Sequence, residues 1–247
     1  MAIRGRLTKE KMASSMPADA PAYHRKPFHY RKARWLRFDY ETDPEAAAEL
    51  VPAPLELPQT ATASLTFADY TWSTLGSYRE TILSIQALDG GEELPYLAYL
   101  MLNREVPVLV GREVYGFPKK MGVVEFFEEE DLMAAYVERP RGIRICSGVM
   151  RPEQSVGSPL PAGSSVDALS LRILPSPERD QEHSLVEIIR TGFVVRSMEV
   201  WTGPGNCHFT GASALDPWHK LPVKRMLGCS YLIFDAELAP GKVLYTL

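Results

Sequence analysis

The chain has 247 residues, enough for one large core or two small ones, since single cores stop growing near ~250–300 residues. Hydrophobic residues make up 45% and charged residues 23%, ordinary globular usage that argues against a disordered, fibrous or repeat protein. The balance of 27 Lys+Arg against 31 Asp+Glu, a net charge of −4, is not one built to hold nucleic-acid phosphates.

The longest uncharged apolar stretch, Leu94 to Leu102, falls far short of the ~20 residues that span a bilayer, so no membrane association is expected. Residues 1–6 carry basic side chains with no apolar segment behind them, which argues against a secretory signal. Cys146, Cys207 and Cys229 are odd in number and widely separated, and suit buried thiols in a reducing, cytoplasmic setting. No CxxC, HExxH or HxH spacing occurs, so neither a metal nor another cofactor is expected.

Residues 1–22 mix charge with Ser, Ala and Pro without an apolar period and are expected to form a flexible arm before a single domain over 23–247. The next stretch is basic, with Arg25, Lys26, Arg31, Lys32, Arg34 and Arg37 and no acid before Asp39. One arginine turned inward there has the fork geometry to hold a substrate carboxylate. From Arg34 to Tyr40 the chain alternates as a strand, with Leu36, Phe38 and Tyr40 on one side and Trp35, Arg37 and Asp39 on the other. Asp43 caps a short helix that Pro44 opens and Pro52 ends.

Strand-sized runs come next at Ala61–Tyr70, Thr81–Ala87, Tyr96–Leu102, Val106–Val110, Gly122–Phe127, Met133–Val137, Ile143–Met150, Leu169–Leu174, Ser184–Val200 and Ser230–Glu237. Asp89-Gly90-Gly91, the acidic run Glu128–Asp131 and Gly203-Pro204-Gly205 read as turns. Many short strands, few helices and no βαβ rhythm point to an α+β chain, predominantly antiparallel β, with the sheet curved or closed.

No phosphate loop or nucleophile elbow appears. The informative segment is Gly111-Arg-Glu-Val-Tyr-Gly-Phe-Pro-Lys119-Lys120-Met121-Gly122. Its lysines lie between apolar runs, where a buried ammonium must find a carboxylate or lose its proton. Gly111-Arg112-Glu113 followed by Phe117-Pro118-Lys119-Lys120 closely resembles the signature of the acetoacetate decarboxylase family. Val51–Glu56, Leu75–Glu80, Trp201–Pro204 and Leu221–Lys224 look like further landmarks of that family in the same order, over roughly residues 20–247.

The resemblance implies a cone-like closed β-barrel, a homo-oligomer, and a lysine that forms a Schiff base with a small keto acid. Lys119 falls on the imine-forming lysine, Lys120 on its partner and Glu80 on an active-site glutamate. Two positions depart: ungapped counting puts the family's pocket arginine at Ala33 and a second pocket glutamate at Leu65. If the strand stays extended, Arg31 and Arg37 share Ala33's face while Arg34 points the other way, and Arg31 is the candidate replacement for the arginine. Tyr115 and Tyr245 are candidate proton donors and Phe117 a candidate substrate contact.

Imine formation needs a neutral amine, which an ordinary lysine with a pKa of ~10.4 offers about one time in 2,500 at pH 7. The family's namesake is itself the standard example of a lysine activated by desolvation or a neighbouring cation. Here desolvation is expected to dominate, because consecutive side chains of an extended chain point oppositely. Three functions are compatible with these residues. The first is aldol condensation and dehydration of pyruvate with an aldehyde co-substrate, favoured by the altered positions at Ala33 and Leu65. The second is decarboxylation of acetoacetate, and the third a non-catalytic small-molecule binding protein.

Overall fold

The computed structural model describes residues 2–247; Met1, part of the expected arm, lies outside the described residues. Residues 2–22 are mostly exposed, and the chain engages the body at Tyr23, whose hydroxyl donates to Glu113 at 2.6 Å.

Period-two alternation shapes the first long strand. Phe28–Glu41 buries Leu36, Phe38 and Tyr40 completely, while Trp35, Arg37 and Asp39 stay half-buried on the other face. The two faces meet different surroundings because this strand is one wall of a barrel. Seven strands succeed one another around it: His183–Thr202, Ser165–Pro175, Glu92–Leu102, Tyr78–Asp89, Thr62–Tyr70, Phe28–Glu41 and Arg225–Leu238. Arg225–Leu238 pairs back onto His183–Thr202 and closes the ring, which removes the unpaired edges an open sheet would present. All neighbours are antiparallel except Ser165–Pro175 beside Glu92–Leu102, a parallel contact at Leu169 and Tyr96.

A smaller sheet of Gly205–Phe209, Arg144–Met150, Leu132–Glu138 and Val123–Glu129 packs on the outside of the barrel. Leu36, Phe38, Leu65, Phe67 and Leu83 from the barrel meet Val124, Phe126, Ala135 and Val137 from that sheet in one apolar core. Residues one position over on the same barrel strands line the interior instead.

The expected helix forms over Pro44–Ala48, with Asp43 accepting from the backbone N–H groups of Glu45 and Ala46. Val106–Val110 departs from expectation. Its β-branched, apolar run reads as a strand, but Glu105–Val110 is helical. Pro107 lies in the first turn, where a missing N–H costs nothing, and the run is too short for periodicity to decide.

Candidate active site

One local device presents the Lys119 amine. The helix Glu105–Val110 widens into a π-helical turn over Gly111–Tyr115, which ends at Gly116 in the left-handed region (φ 70°). Gly116 is required on two grounds, its positive φ and the approach of Arg172, whose Cα would lie 2.6 Å from an added Cβ. The amide of Phe117 then bonds back to the Gly111 carbonyl at 2.9 Å, and the chain re-enters the sheet as the strand Lys119–Met121. That strand runs parallel to Glu92–Leu102, with Lys119 beside Leu100 and Lys120 beside Met101.

This register sorts the two lysines. Leu100 faces the barrel interior, and Lys119 goes inward with it; Met101 faces the outer core, and Lys120 goes outward. The Lys119 side chain is 5% exposed and its Nζ lies 2.8 Å from Glu80 Oε2, a carboxylate buried to 4%. Its ammonium lies 5.4 Å from the ring centre of Phe117 and 5.6 Å from that of Tyr78. Lys120, 44% exposed, instead donates to Asp216 at 3.0 Å and to the Leu215 carbonyl at 2.8 Å. Arg139 completes that outer cluster, 2.6 Å from the same carboxylate. Lys120 therefore lies outside the cavity, bound to Asp216, and not beside Lys119 as the resemblance implies.

Three other expectations change. Arg31 is 62% exposed and bound to Asp235 at 2.9 Å, outside the cavity. The cause is a bulge at Lys32 (φ 48°), where one extra residue breaks the register between Tyr30 and Ala33. Tyr30 takes the inward place that unbroken alternation would have given Arg31. Tyr245 lies in the strand Lys242–Thr246, on the outside of His183–Thr202, where its hydroxyl donates to Asp89 at 2.6 Å. Leu65 points to the outer core between Phe38 and Leu83, so the interior-facing positions of its strand are Ser64 and Thr66.

Tyr115 and Phe117 do line the cavity with Lys119 and Glu80, their rings stacked at 5.3 Å. Tyr115 is fully buried and its hydroxyl has no partner, while burial pushes its ionisation well above the usual tyrosine range. Nothing in the sequence singles out Tyr30, Tyr70 and Tyr78. They form an aromatic wall beside the amine, with Tyr30 and Tyr78 hydroxyls 3.2 Å apart, and desolvation likewise holds all three phenols protonated. Arg37 is the guanidinium in the lining. It sits on the same cross-strand row as Lys119, through Thr66, Ile82 and Leu100, and is held by Asp39 at 2.8 Å and Ser64 at 3.2 Å.

The cavity holds about 110 Å³, and Arg37, Ser64, Thr66 and Ser84 are among its polar lining residues. No group of three or more His, Cys, Asp or Glu among the described residues is arranged to hold a metal ion. What the site offers is a buried amine in contact with a buried carboxylate, beside phenols held in their protonated form.

Comparison with known proteins agrees with this geometry. The chain is 28% identical over 246 residues to Decarboxylase DEC1 of Cochliobolus heterostrophus, covering 94% of each chain. It is 27% identical over 237 residues to an acetoacetate decarboxylase of Clostridium acetobutylicum, again covering 94% of each. A solved acetoacetate decarboxylase superposes with a TM-score of 0.86 at 25% identity, over 97% of this chain and 99% of the other. The enduracididine biosynthesis enzyme MppR, solved with pyruvate, shares the fold at a TM-score of 0.76 and 18% identity, over 95% and 98%. The acetoacetate decarboxylase family model matches residues 15–247, and the chain belongs to that family.

Proposed function

We propose that the chain decarboxylates a β-keto acid, of which acetoacetate is the smallest, through an imine on Lys119. The observation that carries this reading is the 2.8 Å contact between Lys119 Nζ and Glu80, both nearly fully buried. Glu80 is placed to take the ammonium proton, which turns a buried ion pair into a neutral pair and frees the nitrogen lone pair. The amine adds to the keto carbon, water leaves, and a protonated imine forms. Electrons of the bond to the carboxylate carbon then move toward the imine nitrogen, releasing carbon dioxide and leaving an enamine. A proton delivered to the enamine carbon, with Glu80 as its carrier, restores the imine, and hydrolysis frees the ketone and the lysine.

The altered positions at Ala33 and Leu65 favour condensation on sequence alone. That ground weakens because Leu65 lies outside the cavity, so its loss of a carboxylate does not alter the lining. The relatives matched over nearly their whole length bear decarboxylase names. Condensation of pyruvate with an aldehyde is the second reading, and the unpartnered Tyr115 hydroxyl favours it as a donor to a departing hydroxyl.

Borohydride reduction in the presence of acetoacetate, followed by peptide mass mapping, tests the shared step: the adduct is expected on Lys119. Carbon dioxide release without an aldehyde then supports decarboxylation, whereas an enone absorbance that requires the aldehyde supports condensation. Ligand binding that survives Lys119→Ala, with no adduct in the parent, refutes both in favour of a binding protein.

A further inference from the structure

The space around Lys119 continues beyond the chemistry. A second hollow of about 280 Å³ shares Trp35, Arg37, Val166 and Phe193 with the cavity that holds the amine. Leu232 and Phe234 form its far wall. They pair across the sheet with Trp35 and Ala33, on the same inner face, so the hollow is a continuation of one barrel interior. Arg37 is its one polar lining side chain, and that guanidinium is engaged by Asp39 and Ser64. Every other lining residue is apolar, Pro159 and Leu160 from the segment after the strand Gln154–Gly157 included.

Protein interiors pack as densely as organic crystals, and voids larger than a water are few. An apolar hollow in line with a reactive amine therefore has the character of a binding feature. Acetoacetate offers only a methyl group on the far side of its keto carbon, which leaves this space unfilled. We infer that the substrate is a β-keto acid with an unbranched apolar chain beyond its keto carbon, and that this chain lies in the second hollow. The inference rests on the Lys119 imine reading and names its substrate class.

The test compares kcat/KM for acetoacetate, 3-oxohexanoate and 3-oxooctanoate by carbon dioxide release, with borohydride trapping alongside. Each added methylene is expected to raise kcat/KM about fourfold, the equivalent of ~0.8 kcal/mol of apolar transfer at ~1.36 kcal/mol per tenfold. Two methylenes thus raise it about fifteenfold. Met198→Trp fills the hollow, and Leu160→Asp places a charge at its rim on a segment outside the barrel strands. Either variant is expected to bring the ratio of 3-oxohexanoate to acetoacetate toward one. A flat or falling series while acetoacetate still forms its adduct on Lys119 overturns this inference and leaves the imine reading standing. So does an unchanged ratio in both variants. Failure of all three acids to modify Lys119 overturns the inference together with the reading beneath it.

Discussion

The Lys119–Glu80 pair makes a quantitative prediction about stability. Both groups are almost fully buried, and no other side chain hydrogen-bonds either of them among the described residues. Removing one partner of such a pair strands a charge and costs ~3–5 kcal/mol, whereas replacing both with apolar residues is neutral or stabilising by ~1–4 kcal/mol. A stranded group can escape by changing its protonation, and that sets a ceiling. For an ordinary glutamate, taking a proton at pH 7 costs about 3.7 kcal/mol, and for an ordinary lysine losing one costs about 4.6 kcal/mol.

Lys119→Met should therefore lower stability by about 3–3.7 kcal/mol and Glu80→Leu by about 3–4.6 kcal/mol at pH 7, falls in Tm of roughly 6–15 °C and 6–18 °C for a chain of this length. The double variant should sit near or above the parent. The two single variants should also move oppositely with pH. Stranded Glu80 is relieved by protonation, so the Lys119→Met deficit shrinks as pH falls from 7 toward 5. Stranded Lys119 is relieved by deprotonation, so the Glu80→Leu deficit shrinks as pH rises from 7 toward 9. Urea unfolding at three pH values, with calorimetry, measures all four corners of the cycle. Single deficits below about 1 kcal/mol that simply add in the double variant would refute the reasoning, because such a pair is hydrated.

Gly111→Ala is tolerated by the helix backbone, but its Cβ would lie 2.8 Å from Lys119 Cε and displace the amine. Stability is expected to fall by about 1–3 kcal/mol, the cost of overpacking a buried site, and kcat/KM about a hundredfold, since a misplacement near 1 Å costs that much; unchanged steady-state kinetics refutes it. Lys120→Ala leaves Asp216 with Arg139, so carbon dioxide release within about threefold of the parent is expected, and a loss beyond tenfold would return Lys120 to the chemistry. Tyr115→Phe removes a buried hydroxyl without a partner and should raise stability by about 1 kcal/mol in urea titrations. A hydroxyl that donates to the substrate also makes kcat fall more than tenfold in that variant, and an unaltered kcat removes Tyr115 from the mechanism.

Most of the sheet is legible in the sequence because one face of each strand is buried and period two records it. Leu36, Phe38 and Tyr40 against Trp35, Arg37 and Asp39 is the plainest case, and the structure keeps that division. The misreadings have local causes. Counting through Lys32 places Arg31 inward, but a bulge there adds one residue and reverses every side chain before it. Ungapped counting from Glu56 to Glu80 places Leu65 in the pocket. Its own neighbours Ser64 and Thr66, polar residues between Ala63 and Phe67, carry the signal that the interior face lies one residue away. Tyr30 and Tyr78 cannot be told from ordinary core tyrosines by sequence, because only strand pairing brings residues 48 positions apart to a 3.2 Å contact.

The arrangement separates two tasks by sequence distance. Residues 105–121 set the amine in place, through a helix, a widened turn, a left-handed glycine and a three-residue strand, with few demands on the rest of the chain. The room that the amine faces is made by residues from Trp35 to Phe234, brought together only by barrel closure. On the proposed reading, substitutions in the first segment are expected to act on the bond-making step for every substrate alike, and substitutions among Val166, Met198 and Leu232 on the difference between substrates. The lysine pair shows what register decides: it sends Lys119 into the barrel interior beside Glu80 and Lys120 out to Asp216, so the two neighbouring ammonium groups lie on opposite faces.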